Sequence, residues 1–178
     1  MYNKILLPSD GSKNSEHAIK HALQIASDEG AEITVLHVVD SKHLSSLSDE
    51  ALDKDDIIFD EHGDEVLDHV LGLIDELRDE LGIASEVKVS TLTVEGNPAD
   101  VIVRVCEKKG MDMVIMANSG KHKLDRFLLG SVTEKTIREA PVPVLVIPAN
   151  YSPNWFFSFF YKWKYNIVNL LFLKKKYN

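Results

Sequence analysis

Short apolar runs that end in turn residues alternate along this chain with segments whose apolar residues recur at helical spacing. The apolar runs predict strands at residues 4–8, 31–40, 86–96, 112–118 and 141–148. The helical patterns lie between them, at residues 12–30, 61–81, 98–109 and 131–139. This repeated order predicts an α/β fold, a Rossmann-like five-stranded parallel sheet with helices on both faces. In such sheets ligands bind outside the carboxyl ends of the strands, where the strand order reverses.

Single residues predict where the helices begin and end. Ser12 is placed to cap the first helix, Gly30 ends it, and Gly82 ends the second. Asn97-Pro98 opens the third helix, because proline is favoured in the first turn. Residues 41–60 are polar and acidic without a clear period, which predicts a surface loop.

Charge and aromatic residues divide the chain into two parts. All 28 acidic residues lie in residues 1–150, whereas five of the 20 basic residues lie in 151–178. Of the 14 aromatic residues, 11 also fall in 151–178. This break predicts one domain over residues 1–149, followed by a basic aromatic tail, 150–178. The acidic domain argues against nonspecific binding of nucleic acid, because the phosphates would be repelled.

Cys106 is the single cysteine of the chain, so no internal disulfide can form. It falls in an apolar helical pattern, which favours a buried structural thiol. A free thiol fits a reducing, cytoplasmic setting. The opening MYNKILLPSDG has no long apolar run with a small-residue cleavage site, so we expect no secretory signal.

A basic, glycine-bounded loop precedes the last predicted helix, in the stretch SGKHKLDRFLLGSVTEKT. Gly120 and Gly130 bracket nine residues, including Lys121, and Ser131 follows. Helix N-termini bind anions, and glycines let a phosphate approach the backbone closely. The pattern is neither a Walker A loop nor GxGxxG. Alternatively, Ser131 only caps the helix, the glycines only serve turns, and the basic residues are a solvated surface.

Several blocks of the sequence together resemble the universal stress protein family, in its ATP-binding branch. ILLPSDGS, VLHVVD and VEGNPADVI match the family's first strand and turn, second strand, and helix start. ANSGKHKLDRFLLGSVTEKTIREAPVPVLVIP matches its closing block, and the likeness covers about residues 1–149. The resemblance implies the fold of the adenine nucleotide alpha-hydrolase-like proteins.

The resemblance also implies an ATP site, since that branch carries Gly-x-x-Gly, nine residues and Gly-Ser/Thr. Ala117 stands at the first glycine and departs from the pattern, whereas the remaining positions agree. If that position needed a positive φ, alanine would cost about 1 kcal/mol. The implied cofactors are ATP and a divalent ion such as Mg²⁺. The implied binding residues are Pro8, Ser9, Asp10, Val38, Gly96, Ala117, Gly120, Lys121, Gly130, Ser131 and Val132.

Within that implied site the family gives each part a role. Pro8, Ser9 and Asp10 would border the adenosine, the backbone of Val38 would meet the adenine edge, and Gly96 would lie near the ribose. Two of these roles have structural alternatives. Asp10 can simply form an Asx-turn, and Val38 can be plain core.

We expect a nucleotide-responsive regulator of stress response rather than a dedicated enzyme. No nucleophile–base pair is visible, so no catalytic residue is predicted, and hydrolysis or self-phosphorylation would be slow at most. The family implies a homodimer through the last strand, Val144–Ile147. The alternative is a non-nucleotide interaction module that docks to a membrane or membrane protein through its tail.

The tail departs from the family pattern, which ends after the fifth strand. Trp155–Leu173 is 19 residues long, but lysines and asparagines interrupt it, which disfavours a membrane span. Trp, Tyr and Lys suit the membrane interface, and Lys174–Lys176 can meet anionic lipids. Alternatively, the tail packs on the domain or a partner, or has no fixed structure.

Overall fold

The computed structural model describes residues 2–40, 61–83, 87–118 and 129–148. Within them, strands and helices alternate as the sequence predicts. The strands are β1 (Lys4–Pro8), β2 (Glu32–Asp40), β3 (Val89–Gly96), β4 (Met113–Ala117) and β5 (Val144–Ile147). The helices are α1 (Glu16–Glu29), α2 (Glu61–Leu81), α3 (Pro98–Lys109) and α4 (Ser131–Glu139).

All described strand pairs are parallel, and the strand order is β3-β2-β1-β4-β5. The predicted five-stranded parallel sheet is therefore confirmed. After β1, the chain adds β2 and then β3 on one side of it. It then crosses to the other side of β1, where it adds β4 and then β5. The order thus reverses between β1 and β4, and that gap is the switch point of the sheet.

Each face of the sheet carries its own apolar core. Ile5 and Leu7 of β1 pack with α1 and α2, whereas Leu6 between them packs with α3 on the opposite face. All three side chains are fully buried. Strands covered on both faces need apolar residues at every position, which explains their continuous apolar runs.

The start of α1 differs from the prediction that Ser12 caps it. A 3-10 helix, Lys13–Ser15, comes first, and Ser15 occupies the N-cap without a side-chain cap bond. Ser15 Oγ instead donates to the Ser12 carbonyl at 2.7 Å, which tightens this turn. Gly30 ends α1 with φ 71°, as predicted.

The predicted start of α3 is confirmed in detail. Pro98 opens the helix, and Asn97 Oδ1 accepts a hydrogen bond from Ala99 N at 3.2 Å. This cap satisfies a backbone donor that the first turn would otherwise leave without a partner.

Asp112 joins the loop before β4 to the start of β1. Its Oδ2 accepts hydrogen bonds from Asn3 N at 2.8 Å and Lys4 N at 3.0 Å, and these two bonds lower the pKa of the carboxyl below its ordinary 3.8. A lowered pKa in the folded state stabilises the fold above the ordinary value, and this stabilisation is lost as the pH falls from the ordinary value through the lowered pKa. We expect Asp112→Ala to lower the thermal midpoint by about 2 °C at neutral pH. In melting curves, the difference from wild type should shrink as the pH drops below 3.8. Asp68→Ala on α2 is the matched control, and a pH-independent difference would contradict the assignment.

Two predicted segments lie outside the described residues, namely the surface loop at 41–60 and the tail from 150 onward. The domain boundary near 149 therefore stays a prediction. Among the described residues, no helix is both long and apolar enough to cross a membrane.

Candidate functional site

The chain leaves the carboxyl end of β1 through a tightly bonded turn. Ser9 is 8% exposed, and its N–H donates to the Leu36 carbonyl at 2.9 Å. Gly11 N donates to Ser9 Oγ at 3.2 Å, and Ser12 N donates to Asp10 Oδ1 at 3.0 Å. The second bond is the Asx-turn that the sequence allowed for Asp10. The turn is thus held by its own side chains, next to the switch point.

Strand β2 continues beyond the end of β1. The two strands pair up to Pro8 and Leu36, whereas β2 pairs with β3 as far as Asp40 and Gly96. Backbone groups alternate between the two sides of a strand, and Leu36 faces β1. Val38, two residues on, therefore turns its N–H and C=O toward the side where β1 has already ended. Val38 also packs as a partly buried side chain on the α3 face, which confirms a core role for its side chain, while its contact with adenine stays a prediction.

Gly96 ends β3 in a conformation that favours glycine. Its φ is 144°, and a Cβ added there would lie 2.9 Å from Val101 Cγ2. The close approach lets the chain turn directly from β3 into α3. Gly96 lies beside the end of β2, one strand farther from the switch point than Val38.

The end of β4 is joined to the start of α4 by two hydrogen bonds. Gly130 N donates to the Asn118 carbonyl at 2.8 Å, and Thr133 Oγ1 donates to the Ala117 carbonyl at 3.2 Å. Thr133 is 3% exposed, so its bond is shielded from water. Ala117 is the last residue of an extended strand, where alanine carries no left-handed penalty. Gly120 and Lys121 lie outside the described residues.

The N-terminus of α4 has no side-chain cap among the described residues. The N-cap is Gly130, with φ −63° and ψ 150°, and Ser131 is the first helical residue. The helix therefore begins at Ser131, as predicted, but the alternative that Ser131 caps it is wrong, because the N-cap position is occupied by Gly130. Glu134 N makes the first intrahelical bond, to the Gly130 carbonyl, so the N–H groups of Ser131, Val132 and Thr133 precede the helical ladder.

Sheet topology brings most of the implied residues to one edge. Pro8, Ser9 and Asp10 follow β1, and Ala117 ends the neighbouring β4, with the start of α4 bonded to it. Val38 and Gly96 lie on the next two strands beyond β1. The described part of this edge therefore brings backbone donors and acceptors together with the carboxylate of Asp10.

Sequence reasoning missed His37, which lies beside this edge on β2. Its Nδ1 is 3.0 Å from the Ser9 carbonyl. The available signal was a single polar residue within the apolar run VLHVV, because a half-buried histidine in a central strand needs a hydrogen-bond partner.

The described ionisable groups with shifted pKa values include Lys135, one turn into α4, and Cys106, near the end of α3. Burial in α3, helped by the nearby charge of Glu107, raises the pKa of the Cys106 thiol to about 11. The described residues contain no group of three or more His, Cys, Asp and Glu side chains arranged to hold a metal ion.

A separate cleft of about 460 Å³ opens at the opposite, amino end of the sheet. Asn3, Lys4, Glu32 and Lys88 contribute to its lining, and all of them precede or begin strands. It is remote from the switch point, where chemistry of parallel α/β sheets is located.

A parallel sheet with a helix start bonded to its switch point defines the doubly wound class of α/β ligand-binding proteins. The profile described as "Universal stress protein family" matches residues 1–148. The chain is also 39% identical to Universal stress protein MJ0531 of Methanocaldococcus jannaschii over 148 residues, 83% of this chain and 82% of that protein. The chain belongs to the universal stress protein family.

Solved structures agree with this assignment. The chain of protein MJ0577, also from Methanocaldococcus jannaschii, is 32% identical with a TM-score of 0.62, and the match covers 85% of this chain and 99% of that one. A universal stress protein from Archaeoglobus fulgidus in complex with dAMP has a TM-score of 0.57 over 82% of this chain and 98% of its own. At 19% identity, this second likeness shows the fold alone.

Proposed function

We propose that this chain binds ATP, with Mg²⁺, at the switch point and acts as a nucleotide-responsive regulator. The observation that carries the proposal is the start of α4. Its first N–H groups have no side-chain cap among the described residues and are fixed at the end of β4. Oriented N–H groups and the positive end of the helix dipole suit a phosphate chain. The basic loop that contains Lys121 would add positive charge there.

Gly130 supports a phosphate role for a specific reason. Its extended conformation is open to any residue, so the backbone does not require glycine. Ser, Thr, Asp and Asn are better N-caps than glycine. Glycine at this N-cap therefore stabilises the helix less than those residues would, but it lets a ligand approach the backbone closely. Gly120 and Ser131 would complete the phosphate contacts.

The other end of the site suits a nucleoside. The outward N–H and C=O of Val38 would meet the adenine edge, the Pro8–Asp10 turn would border the adenosine, and Gly96 would leave room near the ribose. This proposal is supported by the universal stress protein from Archaeoglobus fulgidus, which has the same fold and was solved in complex with dAMP.

We propose regulation rather than catalysis as the result of binding. A catalytic reaction would need a base, and the carboxylate in the turn after β1, Asp10, already accepts the Ser12 N–H. ATP would act by binding one state of the loop or dimer more tightly than another. Any hydrolysis or self-phosphorylation would be slow, and the setting would be the cytoplasm.

Calorimetric titration of the full chain with ATP and Mg²⁺ tests the proposal. We expect a dissociation constant near 1 μM, which corresponds to about −8 kcal/mol. Absence of heat at millimolar ATP, confirmed by an unchanged thermal midpoint, would overturn nucleotide binding. Turnover that disappears in Ser131→Ala would instead favour an enzyme.

We also propose a homodimer through β5, which pairs with β4 on one side only. Ile147 and Pro143 turn their backbone toward β4, so Val144 and Val146 turn theirs outward. Val146→Pro removes one outward donor and leaves the β4 ladder intact. We expect this variant to be monomeric by light scattering at concentrations where wild type is dimeric. Val146→Thr keeps the donor and should stay dimeric, and a dimeric Val146→Pro would contradict pairing through β5.

A second candidate function, membrane docking, is favoured by the composition of residues 151–178. They combine 11 aromatic residues and five lysines with no acidic residue. Each lysine near an anionic surface contributes about 1 kcal/mol. We expect the full chain to sediment with phosphatidylserine vesicles, less so at high salt. Deletion of 151–178 should abolish sedimentation with the vesicles. If the full chain sedimented equally with phosphatidylcholine vesicles, an electrostatic attachment would be contradicted.

A further inference from the structure

The parallel pairing of β1 with β2 stops at a definite bond. Ser9 N–H donates to the Leu36 carbonyl at 2.9 Å. In a parallel ladder the next bond would run from the Val38 N–H to the Ser9 carbonyl, and the one after it from the Gly11 N–H to the Val38 carbonyl. Among the described residues neither bond is present.

Two side chains take the groups that this extended ladder would use. His37 Nδ1 lies 3.0 Å from the Ser9 carbonyl, and because a carbonyl only accepts, Nδ1 carries the hydrogen. Ser9 Oγ accepts the Gly11 N–H at 3.2 Å. The carbonyl and the N–H that would pair with Val38 are therefore each held by a side chain.

We propose that His37 is a positioning residue that keeps the Val38 backbone edge open for the base of the nucleotide. This inference rests on the proposed nucleotide function and deepens it. The N–H and the C=O of Val38 are a neighbouring donor and acceptor. They match the Watson–Crick edge of adenine, which offers an acceptor ring nitrogen and a donor amino group. If the strands paired one step further, these groups would be bonded within the sheet, and the base could bind only after that bond broke.

The position of His37 explains why a side chain can do this. Its own backbone faces β3, opposite Thr93, so its main chain is committed to the sheet. Its ring remains available to reach back across β2 to the turn after β1. Without a donor at position 37 the ring would no longer hold the Ser9 carbonyl in its present direction, and we expect this carbonyl to turn and accept the Val38 N–H.

Titration of full-length variants with ATP provides the first test. His37→Phe keeps a ring of similar size but removes the donor, whereas His37→Asn keeps a donor near the position of Nδ1. We expect His37→Phe to weaken ATP binding about tenfold, the effect of one hydrogen bond of about 1.4 kcal/mol. His37→Asn should stay within about twofold of wild type. Equal affinity of all three proteins, or equal loss in both variants, would overturn the role of His37.

Amide hydrogen exchange of the ligand-free protein tests the same inference without nucleotide. The Val38 N–H should exchange about five to ten times more slowly in His37→Phe than in wild type, because it can then donate to Ser9. Unchanged exchange at Val38 would overturn the inference. If His37→Phe fails to fold, His37→Leu is the second variant without a donor, and exchange at Val38 should slow in it likewise.

The two measurements separate this inference from the proposed function. If wild type binds no ATP but exchange at Val38 slows as expected, nucleotide binding fails and the role of His37 in holding the edge open stands. If ATP binds and exchange at Val38 does not change, the nucleotide function stands and the role of His37 fails.

Discussion

Gly130→Asp is expected to weaken ATP binding by at least about 100-fold while preserving the fold. Aspartate is among the best N-cap residues, and its charge suits the positive end of α4, so the helix itself should not be destabilised. The same charge would stand where the phosphates are proposed to bind. Like-charge repulsion of about 3 kcal/mol in a partly shielded site corresponds to that loss of affinity. Calorimetry with ATP and Mg²⁺, paired with urea unfolding, measures both effects.

Gly130→Asn is the matched control, because asparagine has nearly the same shape and capping ability without the charge. We expect it to lose less affinity than Gly130→Asp, with the remaining loss due to the added side chain. If both variants bind ATP as wild type does, the start of α4 is not the phosphate site. If both unfold, Gly130 is required by the fold, which would contradict the backbone conformation described for it.

Gly96→Ala is expected to lower the free energy of unfolding by about 2–4 kcal/mol. Two effects combine at this position. A side chain is strained at a φ of 144°, and its Cβ would lie 2.9 Å from Val101 Cγ2. Val101 lies on the buried face of α3 and is 1% exposed, so its side chain has little freedom to move away. Urea unfolding of the full chain gives the value directly.

Two further variants divide the effect at Gly96 into its parts. Gly30→Ala has a φ of 71° with no atom within 4 Å of the added Cβ, so it carries backbone strain alone. We expect it to cost about 1 kcal/mol. Val101→Ala combined with Gly96→Ala should be less destabilising than the sum of the two single changes. Additive single effects would mean that the contact with Val101 is not under strain.

The fold could be predicted because its signals are local. Buried parallel strands need apolar residues on both faces, and the apolar runs at β1, β2, β4 and β5 show this directly. Helix ends with their own chemistry were also predictable, as at Asn97-Pro98 and Gly30. For α4, the pattern gave the bounds Ser131–Glu139 correctly.

The site was less predictable because its decisive bonds connect residues that are far apart in the sequence. His37 and Ser9 are 28 positions apart, and their hydrogen bond depends on where β1 stops pairing. The predicted serine caps at the starts of α1 and α4 were wrong for a related reason. A serine near a helix start predicts a cap, but the bonds of Ser12 and the entry at Gly130 are set by the turn after β1 and the end of β4.

Cys106 gives this protein a built-in reporter of local opening. Because its pKa is about 11, the reactive thiolate is a fraction of roughly one in ten thousand at neutral pH, and the closed fold also shields the sulfur. We therefore expect an alkylating reagent to modify the thiol mainly in molecules where the region around α3 has opened locally. Since the chain has a single cysteine, one labelling rate follows that event in the unmodified sequence.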